Sequence, residues 1–403
     1  MLKNPELCLR KGADRRLRGG HCWVYSNEVD SKRTPLSDYQ AGDAVTLYSV
    51  SGEPLASAYM EPQSLICARV YSARPDAVLD RELFTDRIGA ALQLREAFFD
   101  KPFYRLLYGD SDGVSGAVVD RFGDYLVVQL NTAGIERHQD ALIQALDAAL
   151  DPAGILLRCD SRARREQGLQ ERVEVVRGDV PEWVELEENG VSFEAPLLSG
   201  QKTGWFYDHR YNRARLQHYC SGRRVLDVYS YIGGWGVQAA AAGASQVLCV
   251  DNSAPALEGV LRNAALNGVS QQVMTSRGKA DQVMSELRDA GERFDIVVLD
   301  PPAFIQRRRD HAKGCKAYRR INELAMQLLA PGGMLVSASC SMHLSEADLM
   351  EVLRGAARRR GCELRIVETG SQAQDHPLHP AIAETRYLKA YFAVLSGDSR
   401  SAG

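Results

Sequence analysis

The spacing of apolar and polar positions changes twice along the chain and divides it into three regions. Up to about residue 73, short alternating stretches dominate. Ala44-Val45-Thr46-Leu47-Tyr48 alternates, Ser51-Gly52-Glu53-Pro54 supplies turn residues, and Leu55-Ala56-Ser57-Ala58-Tyr59 follows. Period-two alternation interrupted by Gly and Pro predicts strands joined by tight turns, here a small β-barrel over residues 1–73. From 78 to 183 helical and strand periods mix. Leu83, Phe84, Ile88, Ala91, Leu92 and Leu94 mark one face of a helix over Arg81 to Phe99. Ala117 to Asp120 and Tyr125 to Leu130 read as strands around the turn Arg121-Phe122-Gly123-Asp124. A helix at His138 to Leu150 and strands near Ile155 and Val173 complete a central α+β domain. From 190 to 396 the strands become near-continuous apolar runs: Arg224 to Tyr229, Gln246 to Asp251, Phe294 to Asp300 and Gly333 to Ala338. Such runs, alternating with helices, predict a parallel, doubly wound, Rossmann-like sheet buried on both faces.

Composition narrows the classes little but usefully. Hydrophobic residues are 45% and charged residues 25%, enough for real cores. A net charge of −3 excludes a uniformly basic coat and leaves local patches open. Two patches stand out. Arg10 to Arg18 holds five basic residues against one acid, and residues 306–320 hold seven against one. The nine cysteines form no C-x-x-C pair and are odd in number, which argues against a disulfide framework or a zinc site and for a reducing compartment. The first residues, from Met1 to Glu6, lack a signal-type apolar core. The longest apolar stretch, Val237 to Val250, is broken by Gln238, Gly243, Ser245 and Gln246. A cytoplasmic location, no membrane span and no bound metal are expected.

Ligands of such sheets sit beyond the carboxyl ends of the strands, and three of the four predicted strands lead into Asp. Asp227 is followed by Tyr229-Ser230-Tyr231-Ile232-Gly233-Gly234-Trp235-Gly236, whose glycines let backbone approach a ligand. Asp251 comes 251 − 227 = 24 positions later, suitably placed to accept from ribose hydroxyls. Asp281 falls near the end of the third strand, within reach of an adenine amino group. A dinucleotide site would need G-x-G-x-x-G, and an acid before the loop would repel a pyrophosphate. A carboxylate instead suits the sulfonium and amino group of S-adenosylmethionine. Taken singly, each aspartate also fits simple helix capping.

Asp227 to Gly234, the loop Asp300-Pro301-Pro302-Ala303-Phe304 and Ser339-Cys340-Ser341 resemble the ribosomal large subunit methyltransferase I family, which forms 5-methylcytosine in 23S rRNA. Gln201 to Arg210 is similar to that family's segment closing over the cofactor. Gly109 to Gly113 with Asp120 to Gly123 is similar to its central domain, and residues 1–73 resemble its RNA-binding PUA domain. The resemblance implies a class I S-adenosylmethionine-dependent methyltransferase domain behind a PUA-like barrel and a central α+β domain. It implies cofactor contacts from Gln201, Thr203, Phe206, Asp208, Asp227, Tyr229, Ser230, Gly233, Asp251, Asn252, Asp281, Asp300 and Pro301. One position departs: Ala303 stands where that family carries Lys.

Carbon 5 of cytosine attacks a methyl group only after a thiolate adds at carbon 6. Cys340, leaving the apolar run Met334 to Ser339 where the sheet ends, is the candidate nucleophile. Cys315, in the basic run after Arg307, competes less well because a mobile loop positions a nucleophile poorly. Asp300 would contact the cytosine N3 and amino edge. The target base must leave any stack, and the 306–320 run is placed to bind phosphates beside it. Arg158, Arg162, Arg164 and Arg165 form a weaker cluster with no role assigned. The expectation is therefore a cytosine-5 methyltransferase acting on 23S rRNA, with RNA as partner. The oligomeric state is left open, a homodimer being compatible. Methylation of a guanine nitrogen, for which Cys340 would be dispensable, and a non-catalytic RNA-binding assembly factor are the alternatives. A nicotinamide-dependent oxidoreductase lacks its fingerprint.

Overall fold

The computed structural model describes residues 3–398. Met1 and Leu2, with which the first expected region begins, lie outside them. Contacts sort the chain into two units that interleave in sequence. One comprises Met1–Val184, Pro196–Tyr207 and Gln374–Thr385; the other comprises Glu185–Ala195, Asp208–Ala373 and Arg386–Gly403.

In the first unit, a five-stranded sheet runs in the order Glu6–Cys8, Ala44–Tyr48, Pro54–Met60, Ile66–Ser72, Trp23–Tyr25. The alternation noted in the sequence survives: Val45, Leu47, Ala58 and Met60 close a core with Leu7, Leu9 and Val24. A second five-stranded sheet runs Arg172–Gly178, Gly154–Cys159, Tyr125–Leu130, Ala117–Phe122, Phe103–Tyr108. Its helices are Arg81–Glu96 and Gln139–Leu150. The first starts where the Asp80 carboxylate accepts from Leu83 N at 3.0 Å. It stops at Glu96 rather than Phe99. Tyr59 and Tyr71 of the first sheet pack into the second sheet's core. The Tyr59 hydroxyl donates to Ser115 O at 3.0 Å, so the two sheets share one interior.

Two members of the weak arginine cluster in this unit are structural, whereas Arg162 and Arg165 stay at the surface in ion pairs with Glu166 and Glu171. Arg158 is buried and donates to the carbonyls of Leu197 and Gly200 at 2.6 and 2.7 Å. Arg164, fully buried, donates to Leu130 O and pairs with Glu136.

The second unit is built on seven strands: β1 (Arg224–Val228), β2 (Gln246–Asp251), β3 (Val273–Arg277), β4 (Phe294–Leu299), β5 (Leu329–Ser339), β6 (Cys362–Gly370) and β7 (Lys389–Asp398). Their spatial order is β3-β2-β1-β4-β5-β7-β6. β1 to β5 are parallel, and β7 runs antiparallel to both neighbours. The helices are α1 (Gly236–Ala241), α2 (Ala254–Leu266), α3 (Ala280–Asp289), α4 (His311–Leu328) and α5 (Glu346–Arg360). The doubly wound sheet was expected, but β3, β6 and β7 were not marked. β3 and β6 bury only alternate or few positions, so their sequences lack long apolar runs. Asp281, expected at the end of β3, sits instead in the first turn of α3. Strand order reverses between β1 and β4, which opens a crevice at their carboxyl ends.

Candidate active site

Asp227 occupies the last turn of pleat in β1 and is fully buried. Its Oδ2 accepts from Gly236 N at 2.9 Å. That contact requires glycine: a Cβ at 236 would lie 2.4 Å from Cys249 Sγ and 3.0 Å from Asp227 Oδ2. Asp227 Oδ1 has no hydrogen-bond partner among the described residues, and neither does the buried Ser230 Oγ. Burial, with Asp300 and Asp251 nearby, pushes the Asp227 carboxyl up to about 7, although the Gly236 N–H opposes it. The loop between β1 and α1 is held in unusual backbone. Tyr229 and Tyr231 have φ of 68° and 48°, beside Gly233 at 87°. Non-glycine residues in this region carry strain and cluster at functional loops.

Asp251, half-buried at the end of β2, tethers that loop: its Oδ2 accepts from Tyr231 N at 3.1 Å and its Oδ1 from Ser253 N at 2.9 Å. Asn252 beside it is exposed. Asp281 pairs with Arg320 at 3.3 Å. An unpartnered buried carboxylate oxygen and hydroxyl, ringed by two further carboxylates, form a pocket suited to a cationic ligand. The residues present therefore fit S-adenosylmethionine, whose ammonium and sulfonium would satisfy them.

Asp300 follows β4. His209 Nε2 lies 3.2 Å from its Oδ1, and Trp235 Nε1 donates to its Oδ2 at 3.0 Å. Burial pushes this carboxyl up, but His209 and the Trp235 N–H outweigh it and hold it below the usual carboxylate range. The His209 tautomer follows from its neighbour. Asn212 Nδ2 donates to Ser371 O, and Asn212 Oδ1 accepts from Arg215, both at 3.1 Å. The amide orientation is thereby set, and the same Nδ2, 3.1 Å from His209 Nδ1, makes that nitrogen the acceptor. A neutral ring then carries its proton on Nε2, which lies 3.2 Å from Asp300 Oδ1 without the alignment of a hydrogen bond. Asp208 accepts from the Tyr387 hydroxyl.

Cys340 follows β5 directly and is half-buried. Serines on both sides fix its backbone. Ser339 Oγ donates to the Tyr318 hydroxyl at 2.9 Å, and Ser341 Oγ donates to Ile305 O at 2.8 Å. The Tyr318 oxygen also accepts from Phe304 N at 3.4 Å. The loop after Asp300 and the turn holding Cys340 are thus stitched together through Tyr318 and Ser341. Pro301 is buried in that loop, Ala303 half-buried. Cys315, on α4, lies 3.7 Å from His311 Nδ1, and burial with Asp348 nearby pushes its thiol up.

Gln201, Thr203 and Phe206 group by their contacts with the first unit, apart from Asp208, Asp227 and the rest. Gln201 is exposed, Thr203 is buried, and Phe206 lies under Lys202 Nζ, 4.7 Å from its ring centroid. His209, Trp235, Tyr318 and Ser341 were not anticipated. Trp235 lies inside the glycine loop and His209 beside Asp208, so position alone was a usable signal for those two.

The two basic runs differ. Arg10 donates to Val29 O, Arg16 pairs with Glu28, and Arg18 pairs with Asp14 and Glu53. All five basic residues of this run are exposed, but Arg10, Arg16 and Arg18 are engaged within the chain. In the second run Arg308, Arg309, Lys313 and Lys316 are exposed, and among the described residues none forms an ion pair. No helix is long and apolar enough to cross a membrane, and no group of three or more metal-ligating side chains occurs, among the described residues.

Comparison with known proteins adds independent findings. Residues 135–392 match the S-adenosylmethionine-dependent methyltransferase family, and residues 7–73 match a PUA-like domain. The chain is 37% identical over 395 residues to the ribosomal RNA large subunit methyltransferase I of Vibrio cholerae, covering 96% of this chain and 98% of that one. It is 37% identical over 390 residues to the protein of the same name from Erwinia tasmaniensis, covering 96% and 98%. Among solved structures, a protein from Streptococcus mutans described as an S-adenosylmethionine-dependent methyltransferase superposes with a TM-score of 0.82 at 19% identity, over 97% of this chain and 100% of that chain. A methyltransferase solved with SAH gives 0.84 at 19% identity, with the same coverage. These last two likenesses show the fold.

Proposed function

Because the chain belongs to the ribosomal RNA large subunit methyltransferase I family and is an S-adenosylmethionine-dependent methyltransferase, we propose that it methylates carbon 5 of a cytosine in 23S rRNA through a covalent adduct with Cys340. One observation carries the reading: the Asp300 loop and the Cys340 turn end neighbouring strands and are joined by Tyr318 and Ser341. A nucleophile and an acidic base-recognition group are held there on rigid elements.

The bound cofactor supplies an electrophilic methyl group on a cationic sulfur. Asp227 and Ser230 would hold its cationic end, Asp251 and Asn252 its ribose and Asp281 its adenine, with Asp208, Tyr229, Gly233 and Pro301 completing the proposed contacts. The Cys340 thiolate adds to carbon 6 of the cytosine, and the electron pair of the 5,6 double bond moves to carbon 5, which takes the methyl group. Loss of the carbon-5 proton to solvent water then restores the double bond and expels the thiolate. Asp300, fixed as an anion by His209 and Trp235, accepts from the cytosine amino group. The exposed cations of the 307–316 run hold RNA phosphates beside a target nucleotide that has left its stack.

An RNA carrying 5-fluorocytosine tests the mechanism, because fluorine at carbon 5 blocks the elimination. Wild type and Cys315→Ser should both trap a covalent adduct, and Cys340→Ser should trap none while its methyl transfer falls by several orders of magnitude. Near-normal activity of Cys340→Ser would sink the carbon-5 mechanism and favour a base nitrogen.

A further inference from the structure

The side chain of Lys389 opens β7 and is only 6% exposed. In the sheet register Lys389 stands opposite Ser339, the residue before Cys340. Its Nζ donates to Ser341 O at 2.7 Å and to Leu344 O at 2.5 Å, so the ammonium brackets the turn that presents the thiol. Four charged or titratable groups bear on it: Cys340, Glu346, Asp348 and Arg386. Glu346 is already paired with Arg386 at 2.6 Å. Asp348 caps α5 through Ser345 and lies 3.2 Å from His311. Cys340, flanked by Ser339 opposite Lys389 in the register and by Ser341, is the group of potential negative charge on the turn that Lys389 holds.

We propose that Lys389 is the positioning residue of the nucleophile: it pins the Cys340 turn and supplies the positive charge that favours the thiolate. The inference rests on the assignment of Cys340 as nucleophile, but the state of its sulfur can be read separately. Burial pushes the Lys389 ammonium down to about 8, while Cys340, Glu346 and Asp348 push it back up. A lysine lowered in the folded state gains stability only above its unfolded value and loses it as pH falls through about 8. At neutral pH the fold therefore carries a buried charge that does not favour folding. Two hydrogen bonds to carbonyls do not demand a cation, since a neutral amide would serve them. A neighbouring anion does.

The pH dependence of Cys340 carbamidomethylation by iodoacetamide, read by peptide mass spectrometry on the full-length chain, tests the proposal without any methyl transfer. In wild type the midpoint should lie below that of an ordinary thiol, about 8.5. Lys389→Met should raise it by a unit or more, slowing modification at pH 7 about tenfold, while Lys389→Arg should keep most of the wild-type value. SAH affinity of each variant, measured by calorimetry, reports whether it is folded. A wild-type midpoint at or above 8.5 overturns the proposal even if Lys389→Met does not fold, and so does an unshifted midpoint in a folded Lys389→Met. Should Cys340→Ser retain methyl transfer while the midpoint still depends on Lys389, the nucleophile assignment fails and the ion pairing stands.

Discussion

Asp227 and Asp300 stand at the ends of adjacent parallel strands, the first fully buried and the second half-buried, and their environments push them in opposite directions. Asp227 has one backbone N–H on one oxygen, nothing on the other, and a carboxyl driven up to about 7. Asp300 has an imidazole and an indole N–H directed at it and is held below the usual range. Burial acts on both, so the difference lies in the donors. The β1–β2 side of the crevice is left short of positive charge until a cation arrives. The β4–β5 side is satisfied before any substrate binds, which is what preorganisation for a reacting base requires.

Removing the preorganised carboxylate should have the larger effect. For Asp300→Ala we expect methyl transfer to fall about 10²–10³-fold in single-turnover assays, the range seen when a positioned electrostatic group is lost. SAH affinity should change far less. Equal losses in both would mean that Asp300 serves the cofactor alone. Asp227→Asn should weaken cofactor binding by about 10²-fold, since it strips one member from a buried charge pair; calorimetry decides.

The raised Asp227 value gives a pH signature whose sign is fixed. A carboxyl raised in the folded state contributes stability that is complete below its unfolded value of about 3.9 and is lost as pH rises through about 7. Ligand-free protein should thus lose stability between pH 4 and 7 from this group, and Asp227→Asn should flatten that decline in denaturant titrations. S-adenosylmethionine affinity should rise through pH 7 in wild type and stay level in the variant. The smallest effect expected is that of the basic runs. Neutralising Lys313 and Lys316 should lower the slope of log affinity for RNA against log salt by about one unit each, whereas Arg18→Ala, which removes an internal ion pair, should leave it unchanged. A matching slope change for Arg18 would show that the first run binds RNA as well.

The doubly wound sheet was legible because β1, β2, β4 and β5 are buried on both faces and read as apolar runs. Asp227, Asp251 and Asp300 stood out because each lies at or just beyond the end of such a run, whereas Asp281 lies in the first turn of α3. What could not be read was set by pairing across long separations. β7 enters the sheet beside β5, and nothing near Lys389 announces that its side chain will meet residues 341 and 344. Tyr318 shows only as one apolar position of an amphipathic helix, although its hydroxyl joins two loops. The reverse error affects charge: Arg10, Arg16 and Arg18 looked like a free basic patch, but their acceptors, Val29, Glu28 and Glu53, lie 12 to 35 positions away.

The sheet order also dictates a sequence of events. β7 is the last strand of the chain, yet it lies between β5 and β6 rather than at an edge. While the chain folds, β5 must keep an open flank, and β6 cannot join the sheet until β7 has emerged to bridge them. The turn bearing Cys340 acquires its lysine only at that final insertion. Closing strands across such separations is slow, so refolding experiments should find the cofactor pocket, built from β1, β2 and β4, forming before the thiol reaches its native reactivity.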